Sequence, residues 1–264
     1  MEKPATDMLN KKKNLDEKYI LTVDMGTTAF KSAIFDCSGQ EIASATEEYQ
    51  IQTPQPGWAE MDPQRYIHLF QTVIARTMQK AQIPKEQFLT LGLSVQGETS
   101  VFLDESGHPL WPAIVWCDTR ALTEAEEIVD AFGSTTIQNH TGQVGCDALW
   151  PGAKLIWLKK HEPEVFQKIS RILQLNGYFA YLLTGRIVED DSILGSSIYW
   201  NINTREYWDE MLEYIGIAKA QLPEIVRPGS IVGTITREAA AMFGLPEHLM
   251  VNIGGSDLAC GPVG

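Results

Sequence analysis

The first hundred residues alternate between two hydrophobic periods in the order β-β-β-α-β, and that order commits the chain to a mixed α and β architecture. YILTVDM, FKSAIFD and EIASATEEYQ read as three consecutive strands, with DCSGQ, around Gly39, turning between the last two. MDPQRYIHLFQTVIARTMQKA then changes period. Tyr66, Leu69, Phe70, Val73 and Thr77 recur at helical spacing, Asp62 suits the N-cap and Pro63 the first helical position. FLTLGLSVQ returns to a buried strand, TSVFLDESGHPL is a further strand and turn, and AIVWCD another strand. TEAEEIVDAFG carries a capping box, Thr123 with Glu126, and a terminal Gly133. From about residue 148 the chain reads as mainly helical, until HLMVNIGGSDLACGPVG, an apolar strand running into a glycine-rich turn.

Two of these strands end alike, on a glycine turn with a carboxylate beside it. Asp24 precedes Gly26, Thr27 and Thr28, and Asp257 follows Gly254, Gly255 and Ser256. Such turns let backbone N–H groups approach a phosphate without a Cβ in the way. A carboxylate there is wrong for phosphate itself, but suits Mg2+ held through water or the removal of a proton from an attacking hydroxyl. Each turn also has a plainer reading, because Asp and Gly build ordinary turns and Thr suits strands.

Composition narrows the partners. The 264 residues carry a net charge of −13, which argues against nonspecific binding to nucleic acid or to an anionic membrane. Cys37, Cys117, Cys146 and Cys260 lie far apart with no metal-binding spacing, which fits reduced thiols in the cytoplasm. No apolar run approaches the roughly 18 residues of a membrane span. Residues 1–18 have charge without an apolar signal region and are expected to form a flexible tail; the Lys11–Lys13 run belongs to it.

In order along the chain, DMGTTAFK, GLSVQGETSVFLDESGHPLWPAIVWCDTRA, the pattern Pro151-x-x-Lys154-Leu155-x-Trp157, the VEDDS stretch with Asp190, LPEIVRPGSIVGTIT and GGSDLACGPVG resemble the N-terminal half of the FGGY carbohydrate kinases, the family of xylulokinase, gluconokinase and glycerol kinase. The resemblance runs from Tyr19 to Gly264. It implies an α/β, RNase H-like lobe of the actin/hexokinase/Hsp70 superfamily, with a mixed sheet flanked by helices and a helical insertion. Residues 19–264 would be the sugar-binding, catalytic-base domain. Family members run to roughly twice this length, so the ATP-binding second lobe would lie outside this chain, and the lobe alone would be inactive.

The resemblance also implies roles. Asp257 would be the general base toward a sugar hydroxyl as it attacks the γ-phosphorus of ATP. Asp24 would orient Mg2+ through its waters, with Gly26, Thr27 and Thr28 near the phosphates; Lys31 has the family position too, or is a solvated strand lysine. Gln96, Gly97, Glu98, Trp116 and Asp118 would bind substrate. Trp116 is equally a core residue, Asp118 at least equally a structural partner of Arg120, and Gln96 could serve either purpose.

The substrate segment departs from the family's subgroups. Glycerol kinases place Arg-Glu after the strand glutamine and xylulokinases Met-His, where this chain has Gly97 and Glu98; Leu149 stands where glycerol kinases have Tyr. Glu98 can accept two hydroxyls and Gly97 leaves room. The expected reaction is ATP-dependent phosphorylation of a small sugar or polyol, with a pentulose such as xylulose first. The alternative is a non-catalytic actin-like module that binds a sugar or a partner. A homodimer of the full-length protein is the assembly left open. His68, His161 and His248 form no cluster and are read as surface residues.

Overall fold

The computed structural model describes residues 17–262; the expected tail lies almost wholly outside them. The three opening strands form a meander. β1 (Tyr19–Met25) pairs antiparallel with β2 (Ala29–Asp36), and β2 pairs antiparallel with β3 (Glu41–Glu48). After the short β4 (Glu60–Met61), helix α1 (Pro63–Ala81) starts where its cap requires, with Asp62 accepting the Gln64 N–H at 2.9 Å and Pro63 in the first turn. Its buried face contains all five anticipated residues, Tyr66, Leu69, Phe70, Val73 and Thr77, and packs on β2 and β3. The helix carries the chain back across the sheet, so β5 (Phe88–Val95) runs parallel to β1.

The second half alternates short helices and strands. β6 (Ser100–Leu103) and β7 (Ala113–Ile114) precede α2 (Leu122–Phe132), α3 (Ser134–Thr141), α4 (Pro151–His161) and α5 (Pro163–Phe166). β8 (Arg171–Gln174), α6 (Leu175–Thr184), β9 (Val188–Asp190) and α7 (Asp191–Leu194) follow, then β10 (Trp200–Asn201), β11 (Glu206–Tyr207) and α8 (Asp209–Ile215). The chain closes through β12 (Glu224–Val226), β13 (Ile231–Thr234), α9 (Arg237–Phe243), β14 (Met250–Ser256) and α10 (Asp257–Cys260).

The central sheet has six strands in the order β13-β14-β5-β1-β2-β3. β14 and β1 both run parallel to β5, on either side of it. Three carboxyl ends therefore finish along one edge, the place where open α/β sheets bind ligands. The register makes this concrete: Asp24 faces Ser94, and Gly255 faces Ser94 from the other side. Residues about 230 apart in sequence become neighbours because one central strand pairs with both.

Three expectations change. The region after residue 148 has helices at each expected stretch, but it also holds the short strands β8, β9, β12 and β13. Their runs are only three or four residues, and β8, β9 and β12 pair with strands dozens of residues away, so they carry little local signal. AIVWCD is paired only through Ala113 and Ile114, after which the Asp118 N–H turns back to the Val115 carbonyl at 3.0 Å. The Thr123–Glu126 capping box does not form. α2 begins at Leu122 after Ala121, which is wholly buried, and no side chain caps it. Arg120, just before it, is held by Asp118. Gly133 does end α2, at φ 75°. Among the described residues, no helix is long and apolar enough to cross a membrane.

Candidate active site

At the carboxyl edge of the sheet lies a cavity of about 590 Å3, and Thr27, Gln96, Gly97, Glu98, Trp116 and Asp257 all line it. Four segments bring them together: the β1–β2 turn, the connection leaving β5, the stretch that follows β7, which carries Trp116, and the end of β14. Gly97 opens the wall, because a Cβ there would meet nothing within 4 Å. Glu98 adopts a left-handed backbone, φ 55°, which is costly for a residue with a side chain. Its N–H donates to Gln174 Oε1 at 3.0 Å and its carboxylate accepts from Ser196 Oγ, which hold that conformation. Trp116 is half-buried, with its indole N–H donating to Thr27 Oγ1 at 2.8 Å.

The wall is braced from behind by Lys154. Its wholly buried ammonium donates to the carbonyls of Val115 at 2.8 Å and Trp116 at 3.1 Å. Burial lowers its pKa to about 7, opposed by the carboxylates of Asp118 and Glu98. Asp118 does not line the cavity. It is fully buried and grips Arg120 through both oxygens, at 2.9 Å to Nε and 2.7 Å to a terminal nitrogen. Arg120 also reaches Glu60 at 2.8 Å and lies 3.7 Å from the Trp58 ring centre, with Trp157 at 5.0 Å. The structural pairing that the sequence left open is the one formed.

The two carboxylate turns differ. Asp257 is the first residue of α10, and its Oδ1 accepts the Leu258 N–H at 2.8 Å. Burial raises its pKa above the ordinary value; the Leu258 bond opposes this, and the Asp24 carboxylate adds to the rise. Asp24 accepts from Ser94 Oγ at 3.0 Å and lies 3.9 Å from the exposed Lys31 ammonium. The Gly26 N–H is spent inside its own turn, donating to Ala29 O at 3.1 Å. The amides of Thr27 and Thr28 have no acceptor among the described residues. Thr27 faces the cavity, whereas Thr28 and Lys31 lie on the outer side of the hairpin beside Tyr49.

Ser192 and Ser196 are lining residues with hydroxyls that the sequence did not single out, and the apolar Trp150, Ile193, Leu258 and Ala259 line the cavity beside them. Asp190 caps α7 by accepting the Ser192 N–H at 2.9 Å, and also accepts from Asn176 Nδ2 at 2.7 Å. Ser192 Oγ donates to Asp190 and accepts the Ser256 N–H at 3.1 Å, one residue before Asp257. The usable signal was the Asp-x-Ser pattern of a helix cap in VEDDS. Beside it, burial pushes the Glu189 pKa up to about 8, against the Gln174 N–H that its carboxyl accepts. Among the described residues, no group of three or more His, Cys, Asp or Glu is arranged to hold a metal ion.

The N-terminal domain profile of the FGGY family of carbohydrate kinases matches residues 19–264. The chain belongs to the FGGY family. Within it, a xylulose kinase from Lactococcus lactis is 28% identical over 246 residues, covering 93% of this chain and 49% of the relative. A glycerol kinase from Haloarcula marismortui is 32% identical over 229 residues, covering 81% and 44%. The crystal structure of gluconate kinase from Lactobacillus acidophilus superposes with a TM-score of 0.84 at 27% identity, covering 91% of this chain and 48% of that one. The chain thus spans about half the length of the FGGY kinases it matches. The RNase H-like fold expected from the sequence is the fold these relatives share.

Proposed function

We propose that this chain is the sugar-binding and catalytic-base lobe of an ATP-dependent kinase for a small sugar or polyol, with a pentulose such as xylulose as first choice. One observation carries the reading. Asp257, the turn residue Thr27 and the Gly97–Glu98–Trp116 wall line a single cavity. A substrate hydroxyl beside Asp257 would find a carboxylate able to take its proton, and a wall able to bind its other hydroxyls. The raised pKa of Asp257 makes it a better proton acceptor than an ordinary Asp.

ATP with Mg2+, when bound, would supply the electrophilic phosphoryl group. The Thr27 and Thr28 amides would hold phosphate oxygens. Asp24 would position the metal through water, which suits an ion that keeps much of its hydration shell and needs no three-carboxylate cage. Glu98 would accept substrate hydroxyls through the oxygen not used by Ser196. Trp116 would cover the C–H face of the substrate, and the absence of a side chain at Gly97 would admit five carbons. The names of relatives that act on xylulose, glycerol and gluconate support the class. The site argues for the larger ligands, since Gly97 replaces the arginine of glycerol kinases.

The test is a phosphorylation panel on the full-length protein with pentuloses, pentitols, gluconate and glycerol. A pentulose or pentitol is expected to lead. Glycerol leading every one of them would overturn the substrate reading, and no sugar-dependent ATP turnover at all would overturn the kinase reading. Residues 1–264 alone are expected to show no turnover, because adenosine contacts and cleft closure would come from the second lobe.

A further inference from the structure

The cavity wall and the Gly26–Thr28 turn are joined by a closed set of hydrogen bonds, and the set converges on one buried side chain. Gln96 is 1% exposed and uses both ends of its amide. Its Oε1 accepts from Thr27 Oγ1 at 3.2 Å, and the same hydroxyl accepts the Trp116 indole N–H at 2.8 Å. Its Nε2 donates to Tyr49 Oη at 3.3 Å and Tyr66 Oη at 3.5 Å, and Tyr49 Oη donates onward to the Gly26 carbonyl at 2.8 Å. The Gln96 backbone N–H donates to the Met25 carbonyl at 3.0 Å. The turn is thus held at Gly26 and at Thr27 by the residue that immediately precedes Gly97 and Glu98.

With both amide donors of Gln96 committed, little of it is left to bind a sugar, although the sequence grouped it with the substrate residues. Thr27 is likewise committed. Its hydroxyl is a junction between the indole that lines the cavity and the glutamine beneath it. Burial keeps the Tyr49 hydroxyl a neutral donor by raising its pKa to about 12. The whole set therefore holds its donor and acceptor pattern across the physiological range.

We infer that Gln96 and Thr27 are positioning residues that couple the two halves of the site, so that a polyol on the Glu98–Trp116 wall and a phosphate on the Gly26–Thr28 turn each tighten the binding of the other. The inference rests on the kinase reading above. A ligand that fixes the Trp116 indole fixes the Thr27 hydroxyl and the turn amides beside it. The second ligand then meets turn amides held in the positions that the first ligand's contact with the indole favours. Thermodynamic linkage makes the effect equal in both directions.

Calorimetry on the full-length protein tests this, with D-xylulose and a non-hydrolysable Mg·ATP analogue, each titrated alone and against the saturated partner. Wild type is expected to show a mutual tightening of about fivefold or more, the same factor from either side. Thr27→Val keeps the shape, loses both bonds and is expected to bind each ligand with no mutual effect. Thr27→Ser restores the hydroxyl and the tightening. The Trp116 indole N–H resonance reports the bond without any ligand, moving in the Val variant and returning in the Ser variant. Should Thr27→Val fail to fold, Trp116→Phe breaks the same link from the cavity side and must also abolish the mutual effect. A wild type that binds both ligands independently, or a Val variant that keeps the tightening, overturns the coupling alone. A wild type that binds neither overturns the kinase reading and the coupling with it.

Discussion

The turn after β1 and the turn after β14 look alike in sequence and are built on different physical terms. The first closes through its own backbone, and the Gln96, Tyr49 and Trp116 bonds brace it further. Gly26 closes it by donating to Ala29, needs no left-handed backbone, and a Cβ there would sit 3.2 Å from the Ala29 oxygen. Its carboxylate, Asp24, stands half-exposed within the β1 ladder and meets a hydroxyl and a lysine. The second is held from outside. Gly254 has φ 63° in a bulge against β5, and a Cβ there would lie 1.4 Å from the Leu93 carbonyl oxygen. The Ser256 amide hangs on Ser192 and so on Asp190. A phosphate cradle needs free amides and tolerates exposure, whereas a base needs a fixed position and partial burial.

The largest difference should appear in catalysis. In the full-length protein, Asp257→Asn keeps the shape of the side chain and removes its basicity, so kcat is expected to fall by about 10²–10⁴ with sugar affinity retained. Asp24→Asn should act on the other substrate, raising the KM for Mg·ATP and the Mg2+ requirement while sugar affinity stays near normal. Because the Asp257 pKa is raised, the acid limb of the wild-type rate profile should lie above the pH at which an ordinary Asp titrates. Steady-state kinetics with each substrate varied separately check all three, and equal effects of the two variants on both substrates would erase the distinction.

Stability should separate the turns next. Gly254→Ala forces both a left-handed alanine and a clash with backbone, and is expected to cost about 3 kcal/mol or more. Gly26→Ala meets one tight contact and no unfavourable φ, and should cost under about 1 kcal/mol. Urea unfolding of the 264-residue chain measures the pair; similar losses would show that the bulge is not the constraint.

The last effect concerns a carboxyl beside the support of the second turn and is spread over several pH units. Glu189, next to Asp190, has its pKa raised from 4.5 to about 8. Between those values the folded state keeps a proton that the unfolded state releases, so stability should fall as pH rises, by about 1.4 kcal/mol per unit, and level off above the folded pKa. Glu189→Gln removes the titration, and its slope across that window should be flatter than wild type by this amount. Parallel slopes would place the Glu189 proton elsewhere.

Much of the frame was readable because it is local. Three strands, the Asp62 cap, the buried stripe of α1 and both glycine turns each follow from residues within a few positions of one another. FGGY membership was readable because its motifs keep their order along the chain. Other features depend on partners far away in sequence. β8, β9, β12 and β13 are too short to announce themselves and exist through pairing. The buried Asp118–Arg120 pair takes Asp118 out of the cavity. GTT reads as one word, yet the twist of the hairpin turns Thr27 toward Trp116 and Thr28 outward. Gln96 could be placed beside a substrate from its neighbours, but only the packing of β1, β5 and the Tyr49 segment committed its amide to the turn instead. Sequence supplied the chemical groups and their local geometry; burial and cross-strand register decided which groups remained free to meet a ligand, because a hydrogen bond to a partner dozens of residues away leaves no mark in the residues that make it.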